Sequence, residues 1–417
     1  MTEPVMAVSR INLTKYKKGE YKMTVRRKKI LKAGICAIIF LVATYFSLTG
    51  KFNYEIGAEL GKLKKAGEVT ELSELGTKET VRDGNRAQLY YSAGEMVNFD
   101  FRPPGNEVKD IEDYYRENKD KIADSMAKNQ VVLDIMDKSM TFNKCNFNFD
   151  YEKGFDMPVP NYLQLRTVAY LLTMKAFDDI DKGRYDQAVL RSVQCIKMGG
   201  DMANEHGFLI SDMVAIAIIK IGIMPIQYML QNNINAHYVP AANELSFIRN
   251  SLGDDFIKSL QAERACGIDA FNKLLANKAP DIADSVNDTL SEDLITAIAG
   301  SNVNYDVSKN TKNNEFLMTL LSMVGLSHYE KIKINFVNKY TITLAKPYLL
   351  ASELHYIRTM NKLIDNVKSN PEGEMKPVNP GKFYIISYVI VPNTQKAQER
   401  NVTLMKDIDE LIRGFKF

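Results

Sequence analysis

Residues 33–50 read AGICAIIFLVATYFSLTG, eighteen positions without a charge, and Ile30 and Leu31 extend the apolar run past Lys32. At a rise of 1.5 Å per residue, about 20 helical residues cross a hydrocarbon layer of roughly 30 Å. Residues 30–50 are therefore expected to form one membrane-spanning helix. The competing reading is a buried core helix. Arg26, Arg27, Lys28 and Lys29 directly before the run favour the membrane, because a basic collar marks the cytoplasmic end of a span. Lys32, one turn inside, can reach the headgroups along its own aliphatic stem.

The collar also sets the direction. Residues 1–32 hold ten Lys or Arg against Glu3 and Glu20, a net +8, whereas the whole chain nets +3 and the remainder is therefore −5. A cytoplasmic tail (1–29), a transmembrane segment (30–50), a charged and glycine-punctuated stalk (51–84) and an extracytoplasmic domain (85–417) follow. A cleaved signal peptide has a shorter leader and small residues at its cleavage site. Neither is present, and Ile35 stands before Cys36 where a lipoprotein needs a small residue. An uncleaved signal anchor is the expectation. Because the basic excess lies in the tail, the body lacks the clustered cations that contact phosphates, and no nucleic-acid partner is expected.

Beyond the span, helical periodicity dominates and alternating strand patterns are scarce, so the fold class is all-α. Helices are predicted near 85–97, in one or two pieces over 108–140, and over 162–180 with a stop at Asp181-Lys182-Gly183. The run 208–230 is long enough for a bilayer, but Asp212, Lys220 and Pro225 make it a buried core helix. Further helices are expected at 239–251, 254–278 and 328–368, the last kinked or divided at Pro347. Residues 280–314 read as an irregular insertion. The run FYIISYVIVP, 383–392, is a short strand or a buried helix, with Pro392 in the first turn of a final amphipathic helix.

The charges with chemical promise are Asp212, Glu263 and Arg264. Ile257, Leu260, Ile268, Phe271 and Leu275 form an apolar stripe, and Arg264 falls on it. An Arg facing a core needs a partner, since an unpaired buried charge is very costly. Asp212 and Glu263 are the candidates, in a structural ion pair, a ligand pocket or a solvated edge. Glu205-His206 and Glu353/His355 do not place two ligands one helical turn apart, as a zinc-protease helix does. No phosphate loop, dinucleotide fingerprint, nucleophile elbow or calcium loop occurs. Cys145, Cys195 and Cys266 allow at most one internal disulfide and carry no zinc spacing. No metal or cofactor is expected.

Two resemblances follow from particular residues. Gly183, Tyr185, Ala188 and Cys195 resemble the turn and second helix of a tetratricopeptide repeat, in one copy only, where an array needs about three. The ordered segments CNFNFDYEKGFDMPVPNYLQLRTVAYLL (145–172), KGRYDQAVLRSVQCIKMGGDM (182–202) and FLISDMVAIAIIKIG (208–222) are similar to membrane-anchored helical envelope proteins of planctomycete and verrucomicrobial-type bacteria. Ala262-Glu263-Arg264 and VPNTQKAQERN (391–401) extend that likeness. It implies an envelope location and an α-helical fold, and it nominates no catalytic residue. The expected role is a noncatalytic interaction or scaffold domain with a protein partner in the envelope. The alternative is an envelope hydrolase acting on glycan or peptide through Asp212, Glu263 and Arg264.

Overall fold

The periodic stretch 162–231 folds, in a computed structural model of the chain, into three consecutive antiparallel helices around which the rest is arranged. The structure describes residues 24–76, 84–103, 107–205, 207–276, 333–373, 375–376, 378 and 385–415. Within them are ten α-helices and no β-strand. The helices are α1 (Thr24–Lys65), α2 (Arg86–Met96), α3 (Val108–Lys128), α4 (Gln130–Ser139), α5 (Tyr162–Asp181), α6 (Tyr185–Asn204), α7 (Leu209–Gln231), α8 (Val239–Leu275), α9 (Lys333–Ser369) and α10 (Ile385–Gly414).

Local chemistry sets the ends of the central hairpin. The Asn161 side chain accepts the Gln164 N–H and caps α5, and at the far end Gly183 takes φ +69° while the Arg184 N–H donates to the Asp179 carbonyl. Helix α5 is buried on most sides, from Leu165 to Ile180. Helices α6 and α7 approach closely where Gly199 meets Ala215 and Ile219, and Gly222 meets Cys195 and Ile196. Helices α2 and α3 cover α5 on one flank, with α4 packed on α2; on the other, α8 covers α6 and α7, and α10 lies against α7 and α8. Phe208 onward is the buried core helix α7, as its charges imply, with Lys220 paired to Asp407 at 3.3 Å.

A second apolar core lies between α1, α8 and α9. The expected stalk is not one over residues 51–65, which continue α1 without interruption. Phe52, Ile56, Leu60 and Leu63 form one face that packs against Leu350, Leu354 and Ile357 of α9. Upstream the same helix is long and apolar enough to cross a membrane. There it packs on nothing described: Ile38, Phe40, Leu41 and Phe46 are 61–71% exposed or close to it, at 62%, 71%, 65% and 67%. Over 42 residues α1 is about 63 Å long, twice what a bilayer core needs.

Two other boundaries differ. Helix α8 runs unbroken through 251–254, because Gly253 lies within reach of Pro371 and Met405 and its neighbours bury the turn. Helix α10 begins at Ile385 and passes through Pro392, so the apolar run is helical and the proline is not in the first turn. The insertion expected at 280–314 and the tail at 1–23 lie outside the described residues.

Close packing at Gly199 gives a sharp expectation. A Cβ there would stand 2.6 Å from Ile219 Cγ1 and 2.9 Å from the Ala215 carbonyl oxygen, whereas one at Gly57 meets nothing within 4 Å. Gly199→Ala is expected to destabilise by about 1–3 kcal/mol despite the better helix propensity of alanine. Gly57→Ala should be neutral or stabilising by up to about 1 kcal/mol. Denaturant midpoints of the two variants check both signs.

Candidate functional site

Arg264 is fully buried, as its place on the apolar stripe of α8 predicts, but its carboxylate is neither of the two expected. Its Nη1 lies 2.8 Å from Glu68 Oε2 and donates to Asn361 Oδ1 at 2.7 Å, and its Nη2 donates to the Val69 carbonyl at 2.9 Å. Glu68 and Val69 come from the turn after α1, Asn361 from α9. Burial alone would raise the Glu68 carboxyl, but hydrogen bonds from Lys368 and Arg264 hold it below its ordinary value. The pair is a structural joint between three segments. Sequence reasoning missed Glu68 because it lies almost two hundred positions upstream, in a stretch read as solvated.

Asp212 and Glu263 face elsewhere. Glu263 Oε2 accepts the Leu209 N–H at 3.3 Å, placing a carboxylate at the N-terminus of α7, and its carbonyl accepts the Tyr356 hydroxyl at 2.7 Å. Asp212, 3% exposed, sits against Ser259 of α8, whose hydroxyl partly offsets its burial without forming a hydrogen bond of good geometry. Burial drives the Asp212 carboxyl well above its ordinary range, and the nearby Asp255 and Glu263 charges add to that. Burial pushes Asp255 up to about 6 and raises Glu263 as well. The surroundings of Asp212 therefore favour its neutral form over the carboxylate. The three predicted residues do not converge on a common cleft.

An open cleft lies on the other flank, built from the irregular segment 141–161, which straps across α2 and α6. Asn85 fixes the strap: its amide donates to the Asn146 carbonyl at 2.7 Å and accepts the Asn146 N–H at 2.9 Å, while also capping α2 through the Ala87 N–H. Arg86, next in the chain, donates to the Ser139 and Phe142 carbonyls and to Asp201 Oδ2, the last at 2.6 Å. Tyr90 donates to the same Asp201 oxygen at 2.8 Å. Phe147 and Phe149 stack with ring centroids 5.9 Å apart and continue through Tyr151 and Tyr91, so the alternating Asn-Phe sequence puts polar and aromatic side chains on opposite faces of the strap.

The cleft between strap and α6 has a volume of about 410 Å³. The Arg86–Asp201 pair, Cys145 and Asn146 line it together with the exposed Asn143, Lys144 and Asn204, and Lys197, Glu205 and Phe247 complete the lining. Lys197 is paired to Glu244 at 3.1 Å. Glu205 accepts the Phe147 N–H at 3.0 Å, and burial, aided by Asp201, pushes its carboxyl up to about 7. Burial also raises the Cys145 thiol, so it is not a thiolate at neutral pH. All four cysteines are free thiols. His355 is half-buried, its Nδ1 3.3 Å from the Thr359 hydroxyl, with burial lowering its basicity. His206 lies outside the described residues. No cluster of metal-ligating side chains occurs among the described residues.

Compared with protein families, with characterised proteins and with solved structures, the chain gives no match.

Two outcomes test the buried charges. Glu68→Ala strands Arg264 in the core and is expected to cost about 3 kcal/mol or more. Arg358→Ala, which removes the half-exposed bridges to Glu55 and Glu59, should cost under about 1 kcal/mol. Asp212 makes stability depend on pH. Its folded-state value is raised, so between the ordinary carboxyl range and that raised value the folded chain binds a proton the unfolded chain has lost. Stability then falls as pH rises through this window. Asp212→Asn has no proton to lose and should show a flatter decline in melting temperature from pH 5 to pH 9 than the unaltered chain.

Proposed function

We propose that the chain is a single-pass protein of a bacterial inner membrane, held by residues 30–50 with its N-terminus in the cytoplasm, whose helical body stands on the extracytoplasmic side as a noncatalytic interaction or scaffold domain. The observation that carries this reading is the contrast along α1. Residues that would span the bilayer expose large apolar side chains all round, and the next four turns are packed into the body. A helix apolar on most sides and left uncovered by the described residues suits lipid. The basic run before it supports the direction.

The junction also bears on the role. A flexible tether would let the body sample many orientations. Here α1 enters the second core directly, so the body has a fixed attitude to the anchor, which suits a partner in or near the same membrane. Exposed Leu163 and Ile210 stand at the first turns of α5 and α7, which the Tyr162–Ser211 hydrogen bond holds together, and offer an apolar contact surface. The helical hairpin α5–α6 with its G-x-Y-x-x-A turn fits the tetratricopeptide-like reading in a single copy. The hydrolase alternative gains no support from Asp212, Glu263 and Arg264, which serve three separate packing roles.

Protease added to intact spheroplasts tests the topology: the body should be digested while an epitope on the N-terminus stays protected, and digestion of the body only after lysis overturns the orientation. A photo-crosslinking residue at position 163 or 210 should capture a discrete envelope protein that the exposed position 121 does not. Equal labelling at all three positions would count against an interaction surface there.

A further inference from the structure

We propose that the cleft between the strap and α6 binds a short, uncharged oligosaccharide. The inference rests on the cleft's own side chains and is independent of which side of the membrane the body occupies.

Its ionic groups are largely committed to one another. Arg86 is shared between Asp201 and two backbone carbonyls, and Lys197 reaches Glu244 on α8. A strongly charged ligand would have to break those pairs or be held by rim charge alone. Apart from Lys144, what the cleft exposes is neutral. Asn143 and Asn204 are both exposed in its lining. Each carboxamide holds a donor and an acceptor in one plane, and neighbouring sugar hydroxyls, each of which both donates and accepts, match that arrangement. Glu205, held by the Phe147 N–H and partly protonated near neutral pH, offers the same two capacities in the lining.

Phe247 supplies the second half of the chemistry. Its ring is 57% exposed at the rim, on α8, and has no ring partner among the described residues. A phenyl face carries negative potential, and the C–H-bearing face of a pyranose carries the complementary positive hydrogens. A large apolar ring left in water beside planar amides is poorly explained by packing, since it contributes to neither core. A volume of about 410 Å³ is within the range of small-molecule sites and exceeds what a single ion fills.

The test uses the full chain in detergent micelles. Chitotetraose, cellotetraose and maltotetraose are the neutral probes, tetraglutamate is the acidic-peptide control, and binding is read by saturation-transfer NMR and calorimetry. At least one sugar should bind, at least tenfold more weakly to Phe247→Ala and to Asn204→Ala. Lys144→Gln should change that affinity by less than threefold. Phe247 and Asn204 are exposed, so unchanged melting temperatures of these variants confirm that binding and not folding was lost. Absence of binding by all three sugars at millimolar concentration overturns the proposal. So does sugar binding that survives Phe247→Ala, or tetraglutamate binding that Lys144→Gln abolishes.

Discussion

Arg264 constrains more of this structure than any other residue. A guanidinium with no solvent exposure is tolerated only if acceptors converge on it, and here they come from three places: Glu68 and Val69 after α1, and Asn361 on α9. Satisfying one charge therefore fixes the end of the first helix, the middle of α8 and the last third of α9 against each other. Gly267, one turn on, leaves room for the Tyr356 ring, whose hydroxyl reaches back to the Glu263 carbonyl. Without those contacts the second core has an apolar seam and no defined geometry.

For α1 the consequence is mechanical. If it is the proposed anchor, a linker beyond it would leave the fold free to turn. In this chain the turn after α1 is the segment that carries Glu68, and Leu72 following it packs with Tyr151, Met157 and Cys266. Between Glu68 and Leu72, the irregular residues after α1 thus include partly or fully buried partners of the fold. Displacement of α1 relative to the body would uncover Ile56 and Leu63 and strip Arg264 of its carboxylate together.

Much of the architecture is readable from the sequence where local chemistry decides it. The Asp181-Lys182-Gly183 stop ends α5 at its observed limit, and the internal charges of α7 mark it as a core helix. Two features mislead. Gly57 and Gly61, amid charges, look like a breaking stalk, yet both lie in open space on a helix whose other face is apolar, and tertiary packing outweighs their low propensity. The turn at Gly253-Asp254 looks like a boundary, and contacts from α10 and from Pro371 carry α8 across it. The site shows the same division. That Arg264 must be buried and paired is legible from its spacing; that Glu68 is the partner is not, since ion-pair partners across a helical fold leave no local pattern. The cleft is less legible still, because its walls are drawn from α2, the strap, α6 and α8.

The exposed bridges beside Arg264 have a different physical role from the buried one. Arg358 joins Glu55 and Glu59 at 3.0 and 3.2 Å, on a half-exposed surface where each such pair contributes under about 1 kcal/mol. Their value lies in position. Helix α1 carries apolar residues for many turns upstream of Phe52, so a purely apolar seam with α9 gains nearly as much after sliding one turn toward its N-terminus. Sliding by one turn, however, puts Glu55 in the place of Glu59 and Lys51 in the place of Glu55, so that Arg358 keeps one carboxylate of two, and it takes Glu68 away from both Arg264 and Lys368. The first loss is small and the second leaves a charge bare in the core. Apolar burial holds α1 to the body, and the charges determine which turn of it is held.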